Sequence, residues 1–416
     1  MGNDAQEPKH VRVEVSKKIK YMVESHYQEV RAAHGENRLV AFCGGPFPME
    51  LLRIMGISYV HLENYASACA ARKVGNTIMD LAERSGYSPD LCSYARIGIG
   101  TTMAEYECPV GGLPKPDLIV CVANICATIV KWCELLAQKE NVPLFIIDIP
   151  YVQDDEVDVE TLSYVKAQLQ DLISFLEVVT GKRYDTYKAR KVMGYVKEAA
   201  RLRRECLELC KTVPSPMSSF DAFINLAPAN TKRGTLESVE HYIALKKELE
   251  ERVRLQISAI PGEKHRIYWD HIAIWTKLRE LSEFFAQKRA CLVAAAYTHG
   301  TFYYDSYKNL DLEDPLEGIA HELTCMWINR SLNFRVELIK SWIRDFKVNG
   351  AVFHSARTCK RLDFGQYDIA KQIEKDLGVP TVVIEADHTD LRYYSEQQVF
   401  TRLEAFIENL KPVSLE

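Results

Sequence analysis

Residues 116–150 read PDLIVCVANICATIVKWCELLAQKENVPLFIIDIP, and this stretch decides the fold class. Its first apolar run, 116–121, predicts a buried strand, and residues 127–139 have the apolar spacing of a helix. Residues 142–149 predict a second strand, which Pro150 closes. Strands that alternate with helices are typical of a parallel α/β sheet.

The same alternation continues on both sides of this stretch. Upstream, two short apolar runs predict strands at 39–43 and 57–62, separated by the turn Gly44-Gly45-Pro46 and a helix at 48–55. Downstream, four more strands are predicted, at 266–269, 290–296, 350–353 and 380–385, with helices between them, notably 316–330 and 366–377. We therefore predict two Rossmann-like parallel-sheet domains.

The region between these two sets of strands has a different pattern. It is long, charged and periodic, and it predicts helices at 160–179, 185–212 and 236–257. Another amphipathic helix is predicted at 11–33. We expect three parts: residues 1–155 form the N-terminal helix and first α/β domain, 156–262 a helical region, and 263–416 the second α/β domain.

Composition narrows the function classes. The formal net charge of the 416 residues is -5, whereas surfaces that bind nucleic acid usually carry a basic excess. The first ten residues lack the apolar segment of a signal peptide. The longest apolar run, 118–130, is interrupted by Asn124 and is too short to span a bilayer. We expect a cytoplasmic protein with neither nucleic acid nor a membrane as partner.

Three of the twelve cysteines stand at positions where ligands collect in α/β proteins. Cys126 follows the strand 117–121, Cys359 follows the strand 350–353, and Cys92 follows the turn Ser88-Pro89-Asp90. A thiolate near a helix N-terminus is stabilised by the aligned amides and suits iron ligation. The spacings, 126 − 92 = 34 and 359 − 126 = 233 residues, match no compact iron–sulfur motif. On spacing alone, buried structural cysteines remain the better interpretation.

Other motifs give weaker signals. Gly98-Ile99-Gly100 lacks the third glycine of a dinucleotide fingerprint, so a nicotinamide site is disfavoured. Cys206 and Cys210 face one side of a charged helix, where core packing is the default. The aromatic-rich stretch 297–304 could line an acyl pocket or pack in the core.

Four segments together resemble one family. They are Cys92-Ser-Tyr-Ala-Arg96, Asn124-Ile-Cys126 with Lys131-Trp132, His354 through Cys359-Lys360, and Glu385-Ala-Asp387 with Asp390, Arg392, Thr401 and Arg402. Taken together, they are similar to the 2-hydroxyacyl-CoA dehydratase and benzoyl-CoA reductase family, the group of the 2-hydroxyglutaryl-CoA dehydratase D-component. The resemblance covers nearly the whole chain.

The resemblance implies a heterodimer of two homologous subunits, each holding an oxygen-sensitive [4Fe-4S] cluster by three cysteines. Carried over by position, the ligands are Cys92, Cys126 and Cys359, with the cluster in the cleft between the α/β domains. The fourth iron is open in the catalytic, alpha-type subunit, and the resemblance implies that this chain is that subunit. A separate ATP-hydrolysing iron–sulfur activator injects one electron. Whether a flavin accompanies the clusters stays open.

Two further residues are candidates for catalysis. Glu63, at the end of the strand 57–62, matches an active-site acid of the family, although an acid there often caps the following helix. His354 lies beside Cys359 in sequence and could steady a leaving hydroxyl, or it could be a satisfied core residue.

The implied reaction is elimination of water from a 2-hydroxyacyl-CoA. One electron on the thioester carbonyl gives a ketyl radical, which expels the α-hydroxyl, and Glu63 removes the β-hydrogen that has become acidic. The alternative is a subunit of an ATP-dependent benzoyl-CoA reductase, which the segments Arg233-Gly-Thr-Leu-Glu and Asp314-Pro-Leu resemble more closely. A second alternative is an electron-relaying or accessory subunit without its own active site.

Overall fold

The computed structural model describes residues 8–107, 111–153, 156–300 and 306–413. Their strands form two separate sheets, each of four parallel strands. The first contains β1 Val40–Gly44, β2 Ser58–His61, β3 Leu118–Val122 and β4 Leu144–Ile147; the second contains β5 His265–Asp270, β6 Ala290–Ala295, β7 Gly350–Ala356 and β8 Thr381–Ala386. The orders are β2-β1-β3-β4 and β6-β5-β7-β8, so both sheets have the same topology. The predicted fold class, two Rossmann-like parallel sheets, is confirmed.

Helices surround both sheets. In chain order they are α1 Ile19–Ala32, α2 Met49–Ile54, α3 Leu62–Ala71, α4 Gly75–Arg84, α5 Ser93–Met103, α6 Ala127–Glu140, α7 Val159–Thr180, α8 Thr186–Leu209, α9 Ser219–Ile224, α10 Ala227–Thr231, α11 Leu236–Arg254, α12 Leu278–Gln287, α13 Ala296–Gly300, α14 Pro315–Thr324, α15 Leu332–Asp345, α16 Lys360–Asp363, α17 Gln366–Leu377 and α18 Glu396–Glu408. Short 3-10 helices occur at Glu14–Lys18, His34–Glu36, Trp275–Lys277, Ser306–Asn309, Trp327–Asn329 and Leu391–Tyr393. Within the described residues, no helix has both the length and the apolar character needed to cross a membrane.

The hydrophobic core joins the two halves. One large cluster runs from Phe42 on the first sheet, through Leu202 of α8 and Leu245 of α11, to Phe353 on the second sheet. Two smaller clusters cover the remaining faces of the first and second sheets. The side chains of α8 and α11 in this cluster therefore connect the two sheets. Burial of apolar side chains is the main force that holds such layers together.

The helical region does not pack as a unit of its own. Leu169 and Leu172 of α7 belong to the core of the first sheet, whereas Phe220 and Phe223 of α9 belong to that of the second. The predicted domain boundaries therefore stay a prediction. The predicted helix 316–330 is shorter, because the extended backbone of Met326 (ψ 128°) ends the helical run after Thr324.

The Gly98-Ile99-Gly100 sequence lies inside α5, where it allows close helix packing. A Cβ atom on Gly98 would lie 2.1 Å from the Trp132 ring of α6, and one on Gly100 would lie 2.0 Å from the Ile78 carbonyl oxygen of α4. Only glycine fits such contacts. The two glycines therefore allow α5 to pack closely against α4 and α6. This packing fixes the position of the N-terminus of α5, where Cys92 lies.

Candidate functional site

The three predicted cysteines converge, and each occupies the same local position. Cys92 is the N-cap of α5, Cys126 is the N-cap of α6, and Cys359 is the N-cap of α16. All three side chains line one cavity. Cys126 and Cys359 follow strands β3 and β7, whereas Cys92 follows the loop after helix α4. Three helix N-termini, each with free amide hydrogens, thus point towards one region.

The cysteines separate two cavities. The inner cavity, of about 110 Å³, is lined by Glu63, Tyr94, Trp132, Tyr297 and His388 among others. The outer cavity, of about 650 Å³, is lined by Asp90, Tyr151, Lys360 and Phe364 among others. Six residues line both: Cys92, Ile125, Cys126, Thr128, Cys359 and Arg361. A group held by all three sulfurs therefore lies at the boundary between the two cavities.

The electrostatics of the sulfurs show what they could hold. Burial raises the pKa of Cys92 to about 12, and the neighbouring sulfur of Cys126 contributes to the same rise. Burial also raises the pKa of Cys126 and of Cys359. The opposing effect comes from first-turn amides, such as those of Ala95 towards Cys92 and Leu362 towards Cys359. Loss of the protons from all three thiols therefore needs added positive charge, which metal ions supply.

The donor set fits an iron–sulfur cluster better than one ion. Among the residues that the structure describes, no three His, Cys, Asp or Glu side chains are close enough to hold a single metal ion. A four-iron cluster carries its irons at separate corners, so its cysteine ligands stand further apart than those of one ion. The three N-cap cysteines could therefore hold such a cluster.

Glu63 lines the inner cavity together with the cysteines. It lies in the first turn of α3, but His61 is the N-cap there, and its Nδ1 accepts from the Asn64 amide at 3.2 Å. The Glu63 carboxylate instead accepts a hydrogen bond from the Gly45 amide at 2.8 Å. Gly45 has φ +72°, and a Cβ there would lie 2.8 Å from Val122 Cγ2, so glycine is required. This turn holds Glu63 facing the cavity.

His354 does not reach either cavity surface. It lies in β7, fully buried, with its ring against His271 and Trp269. Its Nδ1 donates to the Ile272 carbonyl oxygen at 2.9 Å, and burial lowers its pKa to about 4. A catalytic role for His354 stays a prediction, and the histidines that do line the inner cavity are His61 and His388.

Asp387 connects the loops that carry two of the cysteines. Its carboxylate is 1% exposed and accepts from the Ser93 hydroxyl and the Thr358 hydroxyl, each at 2.6 Å. Ser93 follows Cys92, and Thr358 precedes Cys359. Burial alone would raise the pKa of Asp387, but the nearby His388 and these hydrogen bonds hold it well below its usual range. Asp387 therefore fixes Cys92 relative to Cys359.

The same hydrogen bonds define the proton position on His388. A carboxylate only accepts, so Ser93 donates to Asp387 and its oxygen accepts from His388 Nε2 at 2.9 Å. The Nε2–H group also lies 3.9 Å from the Cys92 sulfur. From the sequence, Asp387 is part of a family-like segment without an assigned role, and no role is predicted for His388 or Ser93. The available signal was an acid and a histidine directly after the predicted strand 380–385.

Two tyrosines complete the inner cavity. Tyr94 accepts a hydrogen bond from the Trp275 indole, and its ring lies edge-on to His388. Tyr297 also lines the cavity, whereas 301–304 lie outside the described residues, so the acyl-pocket role of 297–304 stays a prediction beside core packing. Burial raises the pKa of both phenols, so both remain protonated hydrogen-bond donors.

The other candidate cysteines pack in the core. Cys206 and Cys210 are buried in and after α8, and burial raises the pKa of both. Cys121 lies within β3 and is fully buried. None of these three lines either cavity. The prediction that Cys206 and Cys210 form a packed helix face is consistent with this burial.

The sequence is similar to known proteins along most of its length. The profile of the family described as "2-hydroxyglutaryl-CoA dehydratase, D-component" matches residues 46–410. The (R)-phenyllactyl-CoA dehydratase alpha subunit of Clostridium sporogenes is 33% identical over 375 residues, 89% of each chain. The (R)-2-hydroxyisocaproyl-CoA dehydratase alpha subunit of Clostridioides difficile is 29% identical over 392 residues, 94% of each chain. A benzoyl-CoA reductase subunit of Thauera aromatica is 31% identical over 350 residues, 81% of this chain and 80% of its own. This chain belongs to the 2-hydroxyglutaryl-CoA dehydratase D-component family.

Proposed function

We propose that this chain is the iron–sulfur, alpha-type subunit of a 2-hydroxyacyl-CoA dehydratase. The observation that carries the proposal is the meeting of three N-cap cysteines with the carboxylate of Glu63 in one cavity. The similarity to alpha subunits of two 2-hydroxyacyl-CoA dehydratases supports it. By the same similarity, we propose that it works with a homologous partner subunit and receives electrons from a separate ATP-hydrolysing activator.

In this proposal, Cys92, Cys126 and Cys359 hold a [4Fe-4S] cluster. When bound, the cluster would supply a Lewis-acidic iron for a substrate oxygen and a route for single electrons. Asp387 keeps the loops of Cys92 and Cys359 at a fixed separation through Ser93 and Thr358. The protein's own contribution is then to bind the thioester, exclude water and move one proton.

Glu63 is the proposed base for the β-hydrogen. Its carboxylate is anchored by the Gly45 amide, so it is held in one place while the substrate binds. Removal of the proton by a positioned carboxylate needs this fixed geometry, because proton transfer occurs over hydrogen-bond distances. The apolar walls formed by Ile129, Trp132 and Trp327 exclude water from the radical stage.

The protonated phenols of Tyr94 and Tyr297 are the proposed donors to the substrate oxygens. Tyr94 accepts from the Trp275 indole and is hydrogen-bonded to Tyr297, so the two phenols form a pair that can present one hydroxyl hydrogen to a substrate oxygen. Donors placed where negative charge develops lower the energy of the charged state without reorganisation. A thioester that has gained an electron carries such a charge.

Ring reduction is the second candidate function, favoured by one observation. The benzoyl-CoA reductase subunit is 31% identical to this chain, between the 33% of the phenyllactyl-CoA dehydratase subunit and the 29% of the 2-hydroxyisocaproyl-CoA dehydratase subunit. The two reactions differ in electron balance. Dehydration returns its electron at the end of each cycle, whereas ring reduction by two electrons consumes reductant in proportion to product.

The experiment is an anaerobic assay of the iron-reconstituted chain with its partner subunit, the activator, ATP and a limiting reductant. Phenyllactyl-CoA, 2-hydroxyisocaproyl-CoA and benzoyl-CoA are offered separately, and products are identified by mass. We expect loss of water from a 2-hydroxyacyl-CoA, with many product molecules per electron supplied. Conversion of benzoyl-CoA alone, at two electrons per product, would replace dehydration by ring reduction. No turnover by a chain that holds its cluster would favour an electron-relaying subunit.

A further inference from the structure

A third cavity adjoins the inner one. It has a volume of about 230 Å³ and is lined by residues of α1, α3, α9, α10 and the segment around Trp275. Three residues, His61, Asn230 and Tyr297, line both this cavity and the inner cavity. None of these three lines the outer cavity. The third cavity therefore meets the inner one at a wall different from that of the cysteines.

The position of the cysteines decides from which side a long substrate can enter the inner cavity. A group bound by all three sulfurs lies between the inner and outer cavities, because the three cysteines line both. A long substrate whose reacting carbon lies near Glu63 then needs a route that does not pass the sulfurs. His61, Asn230 and Tyr297 mark the place where the inner and third cavities adjoin, so such a route would pass these three side chains.

We infer that the third cavity, between α1 and α3, binds the pantetheine arm of the CoA thioester, with Lys20 and Arg72 placed for its phosphates. This inference rests on the proposed function, since it needs an acyl-CoA substrate. The arm is long, narrow and uncharged, with amide groups along it. The cavity has matching walls, with apolar Val23 and Leu226 and the polar side chains of Asn64 and Asn230.

The two cations lie at exposed positions of the cavity. Lys20 and Arg72 are both exposed, on α1 and directly after α3. Each is near Glu24, at 4.0 Å from Lys20 Nζ and 3.7 Å from Arg72 Nη2. These separations exceed those of a charge-assisted hydrogen bond, so both cations retain capacity for phosphate oxygens. The cavity thus offers apolar walls within and positive charge at its edge.

The test measures binding of phenyllactyl-CoA to the iron-reconstituted chain in complex with its partner subunit, using anaerobic titration calorimetry. Ala68→Trp and Ala71→Trp each fill the third cavity from α3, at partly or fully exposed positions where the core is not disturbed. We expect each to weaken binding by more than about tenfold. Ala167→Trp, at an exposed position of α7, is the matched control and should bind like the wild type.

A second pair of measurements examines the phosphates. Lys20→Glu with Arg72→Glu should weaken phenyllactyl-CoA binding by about tenfold at low salt, an effect that screening reduces as salt rises. The same double variant should bind the N-acetylcysteamine thioester of phenyllactate, which has no phosphates, as the wild type does. An equal loss for both thioesters would contradict phosphate recognition by these two cations.

The outcomes separate this inference from the proposed function. If both tryptophan variants bind phenyllactyl-CoA like the wild type, the arm lies elsewhere and the inference is wrong, while the proposed function stands. If the wild-type complex binds neither phenyllactyl-CoA, nor 2-hydroxyisocaproyl-CoA, nor benzoyl-CoA, the proposed function itself fails.

Discussion

The two sheets share one topology and contribute different chemistry. In each, the strand third in chain order, β3 or β7, leads through a loop to a cysteine at a helix N-terminus. Cys126 and Cys359 are therefore equivalent positions of the two halves. A repeated fold has placed the same residue type at the same kind of loop, at the carboxyl ends of strands where sites form.

Beyond this pair the halves differ. The first half adds Cys92 and Glu63, which face the inner cavity. The second half adds Asp387 and His388, of which Asp387 holds the cysteine loops and His388 approaches the Cys92 sulfur. Topology thus fixes where loops gather, whereas the reactive and supporting roles depend on single residues.

The largest expected effect tests whether the two equivalent cysteines have equivalent roles. Cys126→Ala and Cys359→Ala should each remove most of the iron from the reconstituted chain, because each removes one of three thiolate ligands. Cys206→Ala is the control, since Cys206 is buried in α8 away from both cavities. Full iron content in either ligand variant would break the equivalence.

The next effect separates proton removal by Glu63, in the first half, from iron ligation by the cysteines. Glu63→Gln keeps an oxygen that can accept from the Gly45 amide but removes the base. Turnover of the 2-hydroxyacyl-CoA that the wild-type complex converts should fall by about 10²–10⁴-fold, with the iron content of the chain unchanged. Glu160→Gln, at an exposed position of α7, is the control in the same assay. Turnover within twofold of the wild type would mean that Glu63 is not the base.

A smaller effect tests the supporting role of the second half. Asp387→Asn replaces a buried acceptor of several hydrogen bonds by a group that also donates. The free energy of unfolding should fall by about 2–4 kcal/mol in anaerobic denaturant titrations. The electron paramagnetic resonance spectrum of the reduced chain should also change, because two ligand loops move. Asp171→Asn, at an exposed position on α7, should change neither quantity.

The smallest effect concerns the ion pairs that connect α4 to the C-terminal segment. Hydrogen bonds from Arg392 and Arg96 lower the pKa of Glu83. A folded-state pKa below the unfolded value contributes stability that is complete above about pH 4.3 and is lost as pH falls through the folded value. Glu83→Gln should cost about 1 kcal/mol at pH 7, and urea titrations below about pH 4 should show a smaller difference. A difference that is constant with pH would contradict this assignment.

Much of the fold followed from the sequence. All eight predicted strands are present, because apolar runs of buried parallel strands leave a clear pattern. The short helices α3, α4 and α5 were not predicted, although their packing brings Cys92 into the site. Close helix contacts at Gly98 and Gly100 decide that packing, and such contacts become visible only in three dimensions.

The site was predicted in part. The convergence of Cys92, Cys126 and Cys359 was expected and is observed, as is the presence of Glu63 beside them. His354 is near Cys359 in sequence, yet alternate residues of a strand point to opposite faces, and the His354 ring is buried against Trp269 and His271. His388, which lines the cavity, is brought there by β8, a neighbouring strand far along the chain.

The most direct test of the central proposal is the iron and acid-labile sulfide content of the anaerobically reconstituted wild-type chain. Three N-cap cysteines at the boundary of two cavities predict about four irons and four sulfides per chain. Fewer than about three irons per chain after full reconstitution would contradict a four-iron cluster in this site.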